Sequence, residues 1–128
     1  MTQITAILAW ILYSVFEGIR EGYYFNANPT PTKFNIHILF NIQRIAVLTL
    51  IFIIAGNIWI ACCFMFPFIH DGAYYMTRNK LNKDVYLKGF WDNPSSTSTA
   101  ILDFELWKRI FLFSFSILLI VVSYVCKS

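Results

Sequence analysis

His70 and Asp71 are neighbours in "PFIHDGAYYMTRNK", residues 67–80, and Arg78 follows two turns later. A histidine beside a carboxylate can serve as an acid/base pair or as two metal ligands, and an arginine can clamp a phosphate. One expectation is therefore a lipid-modifying membrane enzyme that uses His70, Asp71 and Arg78. A full metal centre needs more ligands, and the only other histidine is His37. The competing expectation is a membrane rim. Pro67 then kinks a helix end and Gly72 terminates it. Tyr74 and Tyr75 lie against headgroups, and Arg78 and Lys80 meet lipid phosphates.

A second set of chemical residues follows helical spacing. Gln3, Trp10, Ser14, Glu17, Glu21 and Tyr24 recur at steps of three, four and seven, which is one stripe of a helix. His37, Asn41 and Arg44 form another. A charge inside hydrocarbon costs several kcal/mol on most scales, so such a stripe faces protein, a partner or water. Folding the two segments about "FNANPTPTKFN" sets Glu17 level with Arg44, Glu21 with Asn41, and Tyr24 with His37. The expected result is a polar intramembrane cluster of Glu17, Glu21, His37, Asn41 and Arg44, with Arg20 nearby or snorkelling outward. As structure, Glu17–Arg44 is an ion pair that fixes helix register. As function, the carboxylates and His37 bind a cation, a metal or protons.

The elements that would carry these residues are apolar. The chain has 128 residues, 58% hydrophobic and 13% charged. Soluble domains carry about 45–50% apolar and about 25% charged residues. Residues 1–16, 45–69 and 110–126 contain no Asp, Glu, Lys or Arg. A membrane-crossing helix needs roughly 20 mostly apolar residues. The pattern predicts an all-α, polytopic membrane protein: one domain with a small bundle of three transmembrane helices. Helix boundaries fall at about 2–24, 36–68 and 102–126, with a loop over about 70–101. "MTQITAILAW" has no basic start, and no small-residue cleavage site follows it. It reads as a retained helix, not a cleaved signal peptide.

Arg78, Lys80, Lys83 and Lys88 place the 70–101 loop and the N-terminus on the cytoplasmic side, with the C-terminus opposite. Ser98, Thr99 and Asp103 are expected to cap the last helix. Cys62, Cys63 and Cys126 suit buried small hydrophobes better than a disulfide framework. No zinc spacing, P-loop, dinucleotide fingerprint or nucleophile elbow is present. No cofactor is implied. A formal charge of +3 on scattered residues argues against nucleic acid. The expected partners are membrane lipids and a second copy or a larger membrane complex. The leading expectation is a nonenzymatic membrane protein that associates through its polar face. The alternative is a cation or proton channel or transporter subunit using Glu17, Glu21 and Arg44.

Overall fold

The computed structural model describes residues 2–29, 36–95 and 102–126. Those residues form four long helices: α1 (Gln3–Ala27), α2 (Ile36–Ala55), α3 (Ile58–Leu81) and α4 (Leu106–Val125). A short 3-10 turn lies at Gly89–Trp91.

The expected single helix over 36–68 is two helices. Gly56 breaks it, at φ +66. That left-handed backbone suits glycine and stops the helical path. Asn57 then starts α3, which doubles back along α2. The expected loop from residue 70 is also corrected in its first part. α3 continues through Pro67, Gly72 and Arg78 to Leu81. Gly72 does not end the helix. Its missing side chain leaves room for the ring of Phe90, which a Cβ there would strike.

The last helix starts at Leu106, not at 102. Asn93 supplies the start signal that Asp103 was expected to give. Its Oδ1 accepts the Leu106 N–H at 2.7 Å. Ser98 and Thr99 lie outside the described residues.

α3 is the central helix. α1 and α4 pack against it most extensively, α2 less, and α1 barely touches α2. α1 runs parallel to α3. Trp10 Nε1 donates to the Cys62 carbonyl at 2.7 Å, while Gly18 lies against His70 and Gly22 against Thr77. The four-residue spacing of Gly18 and Gly22 is the small-residue pattern that lets two helix backbones approach closely. A Cβ on Gly22 would come within 2.8 Å of Thr77 Cβ. α4 runs antiparallel to α3, with Phe113 on Phe68 (4.6 Å) and Phe115 on Phe64 (5.1 Å).

Two halves result. One half holds the core of Ala6, Trp10, Ile51, Ile58, Cys62 and Met65. The other holds every charged residue of the four helices. α2 and α4 are long and apolar enough to cross a membrane, and the rest of the chain covers little of them.

Candidate functional site

The charged half is built around a chain of polar contacts from three helices. Glu17 and Glu21 project from α1 one turn apart, both only 3% exposed. α2 brings Arg44, and α3 brings His70 and Asp71. Arg44 Nη2 donates to Glu21 Oε1, and Glu17 Oε1 lies 3.7 Å away. The same guanidinium donates to Asn41 Oδ1 at 2.9 Å and meets His70 Nε2 at 3.1 Å. His70 Nδ1 lies 2.9 Å from Asp71 Oδ1.

Donor logic orders this chain. Arginine can only donate. His70 bridges the chain of contacts, with Nε2 toward Arg44 and Glu21 and Nδ1 toward Asp71. Glu17 takes a second cation, because Arg20 Nη2 donates to it at 2.7 Å. Arg20 also donates to Gln43 and lies over the Phe40 ring, with a side chain 45% exposed. It snorkels while holding its carboxylate. Each buried carboxylate thus has a guanidinium, as a low-dielectric interior demands.

The expected register is off by one turn. Arg44 pairs most closely with Glu21, not Glu17, and Asn41 bonds Arg44 instead of facing Glu21. His37 packs its ring on Phe25 at 4.8 Å. His70, which was expected at the membrane rim, joins the cluster through Arg44, Glu21 and Asp71. Among the described residues no three His, Cys, Asp or Glu side chains are grouped to hold a metal ion.

His70 is held in place by its neighbours. It is 5% exposed, stacks on Phe66 at 4.6 Å, and has both nitrogens engaged. Arg78 is bonded by Nη1 to the Tyr74 hydroxyl at 2.9 Å. Tyr75 is buried beneath Arg109, whose guanidinium lies 5.0 Å from the ring. Lys80 is exposed near the end of α3. Arg109, which the residue pattern did not single out, is fully buried and donates to the Asp92 carbonyl.

A cleft of about 1530 Å³ opens beside this network. α3 forms its floor. Glu21, Tyr24 and Phe25 from α1, Asn41, Arg44 and Leu48 from α2, and Leu112 from α4 complete the helical lining. Residues of the 84–95 and 102–104 segments border its charged end. Phe64, Phe66 and Pro67 make the floor apolar deep in the cleft, and His70, Asp71, Tyr74 and Arg78 make it polar toward the charged end.

Fold and site together define an all-helical protein with two membrane-compatible helices, an internal ion network and an amphipathic cleft. No known family model matches the chain, and no curated protein or solved structure matches it.

Proposed function

We propose that this is a nonenzymatic integral membrane protein whose four helices cross the bilayer together and whose cleft holds a lipid-like amphiphile. The cleft is the observation that carries the reading. It is lined by all four helices, two of which, α2 and α4, are apolar and little covered by the rest of the chain. It exceeds the roughly 300–1,000 Å³ of ordinary small-molecule sites. Its apolar stretch suits acyl chain and its polar end suits a headgroup.

Four crossings put both termini on one side. Lys33, Lys83 and Lys88 then fall in connections on the other side, which the excess of basic residues makes cytoplasmic. This replaces the layout with termini on opposite sides, which depended on three spans.

Association through the α1 stripe is disfavoured, because Glu17 and Glu21 are already buried against this chain's own arginines. Conduction is disfavoured too. In the uncharged half, the Ser14 and Ser116 hydroxyls bond carbonyls of their own helices, and Trp10 bonds a carbonyl of α3. They form no polar file toward the network.

Native mass spectrometry of protein extracted in mild detergent tests the reading. Wild type is expected to retain one lipid. Leu112→Trp, which narrows the cleft, is expected to retain less of it while remaining folded. A wild type stripped of lipid as readily as the Leu112→Trp variant refutes the cleft as a lipid site.

A further inference from the structure

We infer that the cleft is regulated by protons: a proton on His70 and the guanidinium of Arg44 compete for one position, so that protonation detaches Arg44 from α3 and releases the bound amphiphile. The inference rests on the cleft being a lipid site and goes further by naming what controls it.

His70 Nε2 lies between two groups that make opposite demands of it. Arg44 Nη2 stands 3.1 Å away and can only donate. Glu21 Oε1 stands 3.5 Å away and, as a carboxylate, can only accept. A neutral ring with a bare Nε2 takes the arginine. An imidazolium carries an N–H on both nitrogens and takes two carboxylates, Glu21 at Nε2 and Asp71, which already lies 2.9 Å from Nδ1. Every group that either arrangement needs is in place. The two exclude each other, because an imidazolium and a guanidinium at that separation are like charges with little water between them.

The surrounding charges decide where Arg44 goes. Glu17 of α1 lies 3.7 Å from Arg44 Nη2 and already holds Arg20. It is the acceptor that remains when Glu21 turns to the imidazolium. From α2, His37 also faces Glu21, Arg44 and His70, and from α4 Arg109 faces Asp71. Arg109 keeps a cation beside Asp71 in both arrangements, so the exchange falls on Arg44.

Arg44 is a tie between α2 and the floor of the cleft. Its guanidinium lies over the Phe66 ring at 4.9 Å, and Phe66 stacks on His70 at 4.6 Å. Arg44, Phe66 and His70 line the cleft together with Glu21 and Asp71, so a proton reaches the ring from the space that the amphiphile occupies. α2 is held less extensively against α3 than α1 and α4 are. A swing of Arg44 toward Glu17 therefore loosens the wall with the least other packing and opens the cleft beside Phe66.

The test uses the full chain in mild-detergent micelles doped with dioleoyl phosphatidylcholine, read by native mass spectrometry at about pH 5 and about pH 8, the limits between which imidazole changes charge. This lipid stays zwitterionic across that range. Retention is expected to be roughly five- to tenfold lower at the acid limit, the lower range of coupling between two sites. His70→Gln is expected to retain the same fraction at both limits, and His37→Gln to keep the wild-type difference. Imidazole NMR of the wild type gives a readout that needs no variant. The His70 ring is expected to titrate within the range, and at lower pH in lipid-filled than in lipid-free protein, as reciprocal linkage requires. Equal wild-type retention at both limits, a pH response that survives His70→Gln or is lost in His37→Gln, or a His70 ring that stays in one state throughout overturns the proton inference and leaves the lipid cleft standing. Retention of no lipid at either limit overturns both.

Discussion

Replacing Arg44 with methionine tests whether the buried network is an ion pair in the energetic sense or merely a set of polar contacts. Arg44 serves Glu21, Asn41 and His70 at once and lies 3.7 Å from Glu17. Methionine keeps most of the stem and removes the charge. Glu21, with its side chain 4% exposed, then has no arginine in contact and only the His70 ring at 3.5 Å. Stranding one charge of a buried pair costs about 3–5 kcal/mol. Glu21→Gln strands less. The Arg44 side chain is 16% exposed and still has Glu17 within reach. A lost charge-assisted hydrogen bond of that kind costs about 1.5–3 kcal/mol. The double variant removes the stranded charge and should recover most of the Arg44→Met loss.

The assay is equilibrium unfolding in dodecylmaltoside micelles titrated with sodium dodecyl sulfate, followed by tryptophan fluorescence. The expected order is Arg44→Met worst, Glu21→Gln intermediate, and the double variant better than Arg44→Met by at least ~2 kcal/mol. Polar contacts between membrane helices average only ~0.6 kcal/mol, because the unfolded state in the membrane also finds partners. If both single variants cost that little and add without coupling, the paired-charge account of this network is wrong.

Three further outcomes follow from particular residues. Gly18→Ala puts a methyl against the His70 carbonyl, and Gly22→Ala puts one against Thr77. Each should cost about 1–3 kcal/mol by overpacking in the same unfolding assay, and a neutral result for both would mean that α1 and α3 are not held this close. Gly56→Ala meets no atom within 4 Å, so it should cost only the ~1–2 kcal/mol of left-handed backbone. Gly56→Asn should cost less, because Asn tolerates that region. A membrane-impermeant maleimide should label Thr2→Cys and the native Cys126 from the same face of sealed vesicles. It should leave the buried Cys62 unlabelled, and labelling of the two ends from opposite faces would remove one crossing.

The sequence carried the helical class and the polar stripe plainly. Charge-free runs exposed the apolar elements, and the spacing of Ser14, Glu17 and Glu21 marked the face that α1 buries. The break at Gly56 was hidden by its surroundings. Residues 45–69 are uncharged and mostly apolar, so hydropathy reads straight across it, and only "AGN" hints at a turn. Continuation of α3 past Gly72 was hidden for the opposite reason. The residue types of "HDGAYYMTRNK" are those of a membrane rim, and packing by Phe90 is a long-range contact that no local pattern reports. Gly18 and Gly22 were readable by their spacing, but the adjacent Glu17, Arg20 and Glu21 drew attention to charge instead. Arg109 gave no local signal, because its role depends on chain segments far away in sequence.

The Gly56 turn also explains why His70, not His37, completes the network. A continuous helix over 36–68 would run about 50 Å at roughly 1.5 Å per residue and carry His70 away from Arg44. Doubling back changes that. Arg44 lies eleven residues before the end of α2 and His70 twelve residues after the start of α3. Both side chains therefore sit ~17–18 Å from the turn and come level. Symmetry about the first connection gave Glu17 opposite Arg44, within one turn of the observed pairing. The same geometry about Gly56–Asn57 gives Arg44 opposite His70. Two connections, each acting through equal helix lengths on either side, thus converge on one guanidinium. In the proposed four-crossing arrangement that depth is just past the middle of a ~30 Å hydrocarbon layer. Glu21 and His70 line the cleft, whereas Arg20, with a side chain 45% exposed, extends outward from α1 while still neutralising Glu17.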